Sequence, residues 1–317
     1  MVTKSLRILV VGSGAIGGFY AGKLVQSGVK VDLLCRSDYE VIKTSGVKIQ
    51  SIWGDFHYFP AKVFSVKETS VEAPYDYVIV CTKVLPSINV PSIIRPFVGS
   101  KTVIVLIQNG IDIELPVAEA FPENEILSGL AFICCERKAP GEIHHTDYGR
   151  LVIGLYPKGK SSSAEKLVDL LKASGVPADV TEDVITARWE KLVWNAPFNP
   201  ISVLAGGCTT DKMVSTPTIE SVVRAVMEEV VAIANADGSP VRPSIVDEHI
   251  NATKIMKPYK TSMLLDYEAG RPMEVEAILG NAVRKAEKLG VKVPHMKTLY
   301  GLLYMFEHCN RSNNTHP

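Results

Sequence analysis

The sequence predicts an α/β first domain followed by an all-helical second domain, with the change near residue 183. Three observations carry this expectation. The chain opens on a short apolar strand that runs into a glycine-rich turn and then a helical pattern. Further buried-strand patterns alternate with segments that suit helices, as in a parallel sheet. After about Asp183 apolar residues recur at three and four spacing, and no convincing strand pattern appears.

Residues 6–11 (LRILVV) are apolar and rich in β-branched side chains, the pattern of a strand buried on both faces. Gly12-Ser13-Gly14-Ala15-Ile16-Gly17 follows directly, a G-x-G-x-x-G, and a helical pattern continues to Gly28. Gly12 permits the tight turn, Gly14 lets the backbone approach a pyrophosphate, and Gly17 allows close helix–strand packing. The helix start then offers free N–H groups and a positive dipole end to the anion. This order predicts a Rossmann-type, doubly wound domain that binds a dinucleotide.

Residues 30–35 (KVDLLC) form the second strand and bear on the choice of cofactor. Asp32 lies 20 residues beyond Gly12, as a ribose-binding carboxylate of an NAD site would, but it sits near the strand's start. The strand ends at Arg36-Ser37, a cation and a hydroxyl suited to the 2′-phosphate of NADP. NADP is therefore favoured, the alternative being a solvated Arg36. Residues 77–81 (YVIVC) and 102–107 (TVIVLI) are the next buried strands, and 47–66 read as irregular β-hairpin material. Residues 127–155 are strand-like around a Pro140-Gly141 turn, and 161–173 are a helix opened by serines. The expected layout is 1–183 for the dinucleotide domain, 184–310 for the helical domain, and 311–317 for a disordered tail.

Composition limits the function classes. A chain of 317 residues can build two domains, each with a sizeable core. Lys plus Arg and Asp plus Glu balance at 34 each, so there is no bulk attraction to nucleic acid or anionic lipid. No apolar run approaches the roughly 18 residues of a membrane span, and the six cysteines are scattered. These features predict a cytoplasmic protein with reduced thiols. With no G-x-S-x-G, H-E-x-x-H or paired CxxC, hydrolase and metal chemistry find no support. His144-His145 reads as structural.

Ligands of open α/β sheets sit beyond the C-terminal ends of the strands. Lys83 and Asn109 fall there, and each reads as a cofactor contact or as ordinary turn chemistry. In residues 189–204 (WEKLVWNAPFNPISVL), Lys191, Asn195 and Asn199 recur every four residues and form one polar stripe. Bulky apolar groups surround the stripe, and polar groups in such company are costly unless partnered or liganded. A stripe facing an interdomain cleft explains this better than solvated side chains do, and Pro197 should kink the helix at the stripe. Ser262 suits a helix cap, and Asp266 and Glu274 suit surface carboxylates.

Taken together, GSGAIG, CTK at Lys83, QNG at Asn109, KLVWNAPFNP and TSMLLD with a Glu just beyond resemble the ketopantoate reductase family from about residue 6 to 308. That family comprises NADPH-dependent enzymes of pantothenate biosynthesis. The resemblance implies that Arg36 binds the 2′-phosphate and that Lys83 and Asn109 contact the cofactor. It implies Lys191 and Glu274 as catalytic residues, with Asn195, Asn199 and Ser262 on the substrate. Tyr259 and Leu265 depart from the family pattern, where an Asn and an amide are usual. The implied reaction is NADPH-dependent reduction of 2-dehydropantoate to pantoate by hydride transfer, Lys191 acting as general acid. The alternatives are reduction of a different 2-keto acid, or a non-catalytic NADPH-binding regulator. A helical second domain can also support a homodimer.

Overall fold

The computed structural model describes residues 6–67 and 74–313, with side chains as far as residue 309. The chain forms two compact units. The first holds 6–67, 74–83, 88–108 and 113–184 of the described residues, and the second holds 84–87, 109–112 and 185–313.

In the first unit, strands and helices alternate as β1 (Arg7–Val11), α1 (Ala15–Gln26), β2 (Lys30–Cys35), α2 (Tyr39–Ser45), β3 (Val47–Ser51), β4 (Phe56–Tyr58), β5 (Val63–Ser65) and β6 (Tyr77–Val80). They continue as α3 (Val90–Ile94), β7 (Val103–Leu106), α4 (Leu115–Ala120), β8 (Ile126–Ala139), β9 (Glu142–Leu155), α5 (Ser162–Ala173) and β10 (Ala178–Thr181). The sheet order is β4-β3-β9-β8-β7-β6-β1-β2-β5, with β10 beside β9. Every pairing from β5 through β2, β1, β6 and β7 to β8 is parallel. The strand order reverses between β1 and β6, where ligands of doubly wound sheets bind.

The central strands are apolar because both faces are covered. Ile8, Val10, Val31, Leu33, Ile79 and Val105 pack with Phe19 and Leu24 of α1 in one core. The expected hairpin of residues 47–66 is only half of what forms. β3 and β4 pair antiparallel, but β5 leaves the hairpin to extend the parallel sheet beside β2, with Val63 and Phe64 opposite Leu33 and Leu34. β8 and β9 form a long antiparallel hairpin with register shifts near Phe132, Cys134 and Arg137.

The second unit is built from α6 (Val184–Leu204), α7 (Thr210–Ser215), α8 (Pro217–Ala236), α9 (Ile245–Ile255), α10 (Ser262–Glu268), a π-turn at Glu276–Gly280, α11 (Asn281–Leu289) and α12 (Pro294–Asn313). Its core gathers Leu192, Val193, Phe198, Val226, Met227, Val230, Leu264, Ile278 and Met296. α6 stays one helix through both Pro197 and Pro200. Each proline lacks an N–H, so the carbonyls of Val193 and Ala196 lose their intrahelical partners. Residues 311–313, expected in a disordered tail, continue α12, which carries them as its last turn. Residues 314–317 lie outside the described residues. No described helix is long and apolar enough to cross a membrane.

Candidate active site

The glycine-rich turn has the geometry that its spacing requires. Gly12 sits at φ +98, and its N–H donates to the Leu34 carbonyl at 2.9 Å. A Cβ at Gly17 would clash with the Gly12 carbonyl oxygen and crowd Cys81, so only glycine lets α1 start this close to the strands. Gly14 precedes α1 at its N-cap position, and a Cβ there would meet nothing within 4 Å. The open side of Gly14, at the start of a 12-residue helix, fits a pyrophosphate.

In β2, the structure separates Asp32, the carboxylate that sequence spacing puts near a ribose, from the cation and hydroxyl at the strand's end. Asp32 is buried and accepts a hydrogen bond from the Tyr75 hydroxyl at 2.7 Å. It is thus committed inside the protein, while Arg36 and Ser37 are exposed at the strand end. Arg137 of β8 reaches the same spot, donating to the Ser37 hydroxyl at 3.3 Å and pairing with the buried Asp38. Sequence reasoning missed Arg137, because no local pattern links residues 99 apart.

Lys83 follows β6 and is partly buried. Gln108, after β7, ties these loop starts together through its side-chain amide, which donates to the Thr82 carbonyl at 2.7 Å. His145 is a core group: its ring packs against Phe19 and Trp53 and bonds Ser51 at 2.8 Å.

In the second unit, the Lys191 ammonium donates to the Asn109 side-chain oxygen at 3.0 Å. Burial, above all, brings the Lys191 pKa down to about 7; the Arg188 cation pushes the same way, and Glu274 opposes both. Glu274 accepts the Val84 N–H at 2.8 Å. Arg188, 3% exposed, donates to the Gly110 carbonyl at 3.0 Å. It lies three residues before Lys191 on the same helix face, so its spacing would have added it to the stripe.

Asn195 and Asn199 continue that stripe and are buried, at 8% and 2% exposure. Among the described residues, neither side-chain amide has a hydrogen-bond partner. Buried amides usually find one, so these two retain donors and acceptors that a ligand could use. Ser262 is exposed and does not cap its helix; Thr261 does, accepting the Leu264 N–H at 3.2 Å. The Thr261 hydroxyl is also hydrogen-bonded to that of Ser202 at 2.7 Å, and both are buried. Asp266 pairs with Arg271 at 3.0 Å and closes the end of α10. Tyr259 lies against Trp194, which stacks on Phe198.

A glycine-rich turn at the switch point of a doubly wound sheet, joined in one chain to a helical unit with a desolvated lysine, defines an oxidoreductase on a dinucleotide-binding fold. The chain belongs to the ketopantoate reductase family: Ketopantoate reductase PanE/ApbA matches residues 8–158, and its C-terminal part matches 183–307. A 2-dehydropantoate 2-reductase from Nostoc sp. is 34% identical over 311 residues, covering 96% of this chain and 97% of that protein. The crystal structure of 2-dehydropantoate 2-reductase from Methylococcus capsulatus is 46% identical, with a TM-score of 0.90 over 96% of this chain and 98% of that one. A D-mandelate dehydrogenase solved with NADH and anilino(oxo)acetate shares the fold, with a TM-score of 0.89 at 22% identity over 96% of this chain and 99% of that one.

Proposed function

We propose that this protein reduces a 2-keto acid with NADPH, 2-dehydropantoate being the first candidate, and that Lys191 delivers the proton. The observation that carries this is Lys191, held on Asn109 with its pKa near 7, beside two buried amides without protein partners. When bound, the cofactor supplies the hydride to the ketone carbon. As charge develops on the ketone oxygen, the Lys191 ammonium donates its proton and stabilises the alkoxide. Asn109 aims the ammonium, and Glu274, fixed by the Val84 N–H, favours its charged form. The amides of Asn195 and Asn199 and the exposed Ser262 hydroxyl hold the keto acid's carboxylate and hydroxyl groups. The open Gly14 turn takes the pyrophosphate, Arg36 the 2′-phosphate, and Lys83 lies on the cofactor side.

A second reading, a different 2-keto acid, is favoured by Tyr259, whose ring packs by Trp194 where a family amide is usual. Loss of one such bond shifts discrimination by about 1–3 kcal/mol. NADPH oxidation assayed with 2-dehydropantoate against close analogues decides between the two. A kcat/KM highest for 2-dehydropantoate supports the first, a higher value for another keto acid supports the second, and no oxidation with any of them refutes both.

A further inference from the structure

We propose that Arg137 is a second residue selecting the phosphorylated dinucleotide, forming with Arg36 and Ser37 the cradle for the ribose 2′-phosphate. The proposal rests on the NADPH reading above. All the groups involved lie in the first unit. β2 ends in Arg36 and Ser37, both exposed, and β8 brings the Arg137 guanidinium onto the Ser37 hydroxyl. Both bonds of Arg137, to Ser37 and to Asp38, use Nη1. Nε and Nη2 of the planar fork remain for an anion, and a third of the side chain stays open to solvent.

Asp38 explains why the guanidinium stays there. The carboxylate is 1% exposed, and it gives one oxygen to Arg137 and to the Ser37 hydroxyl at 2.7 Å. It does not cap α2, although it stands at the N-cap position. Its other oxygen is buried with no hydrogen-bond partner. Asp38 thus serves as a buried anchor whose carboxylate bonds all run to Arg137 and Ser37, a positioning role. The charges favour an anion as well. Arg36 and Arg137 contribute two positive charges against one from Asp38, and the flanking Glu136 and Lys138 neutralise each other as a pair. A phosphomonoester on Arg36 and Ser37 meets a second guanidinium, whereas a bare 2′-hydroxyl gains little from it.

The test is binding rather than turnover. Dissociation constants for 2′,5′-ADP and 5′-AMP by calorimetry, and for NADPH and NADH by nicotinamide fluorescence, are measured on the parent protein, R36A, R137A and R137A/D38N. The double variant removes the carboxylate that R137A would strand without a partner. The expected result is a loss of on the order of tenfold or more in affinity for 2′,5′-ADP and NADPH, with 5′-AMP and NADH changed by less than about twofold. Full preference for the phosphorylated ligands in R137A/D38N would show that Arg137 only partners Asp38, and would overturn the proposal. A parent protein without any such preference overturns the NADPH reading and this proposal together, and R36A shows whether the preference runs through this end of β2 at all.

Discussion

Lys191 has two charged neighbours that act in opposite senses, and burial adds to one of them. Its ammonium is the form that donates a proton in the reductive direction. With a pKa of about 7, that form is lost as pH rises through neutrality, so kcat for keto acid reduction should fall above about pH 7. The reverse oxidation needs the neutral amine and should rise over the same range. Replacing Arg188 with Met removes a like charge, raises the Lys191 pKa and moves the reductive limb to higher pH. Glu274→Gln removes the opposing charge and moves it lower. Shifts of both variants in the same direction would refute the electrostatic account. Lys191→Ala itself should lower kcat by roughly 10²–10⁴-fold, the usual contribution of a positioned acid, and near-normal turnover would remove Lys191 from its role.

At the scale of elements, glycines and caps separate folding from binding. Gly17→Ala places a methyl against the Gly12 carbonyl, and the backbone must move. Overpacking of this kind costs about 1–3 kcal/mol, so both Tm and NADPH affinity should fall. Gly14→Ala meets open space at φ −67, which any residue adopts. Its Tm without ligand should stay unchanged while the NADPH dissociation constant rises; unchanged affinity would mean that the pyrophosphate does not approach Gly14. The start of α10 gives a parallel pair. Thr261→Ala removes the cap and should cost about 0.5–2 kcal/mol in denaturant unfolding. Ser262→Ala leaves the cap intact and should raise KM for the keto acid with little change in stability.

These elements also show what was legible in the sequence. β1, the glycine turn and α1 are contiguous, and the Lys191 stripe follows from helical spacing alone, so local pattern was enough for both. Arg188 obeys the same spacing and was available to it. The partnership of Glu274 with Val84 spans 190 residues, and that of Arg137 with Asp38 spans 99. Such pairs depend on sheet order and helix packing, which periodicity does not encode. Thr261 rather than Ser262 caps α10, and its hydroxyl also bonds Ser202, 59 residues away, a contact that local pattern does not show. β5 was misread because a three-residue strand is too short to show its pairing, and its partners Leu33, Leu34 and Cys35 settle the register.

For the whole molecule, each unit closes its own hydrophobic core, so unfolding can occur in one step or two. Whichever step melts the first unit should respond to the dinucleotide, because the glycine turn and Arg36 both belong to that unit. A ligand that binds only the folded state stabilises it by about 2.7 kcal/mol at a hundred times its dissociation constant. For a unit of this size that is a Tm rise of roughly 5–10 °C, read by differential scanning calorimetry. NADH at the same concentration should give a smaller rise, since it lacks the phosphate that the cations at the end of β2 would hold. Equal rises for the two ligands would mean that the 2′-phosphate is not read. In that case Arg36 is a surface charge, and the protein does not select between the two dinucleotides.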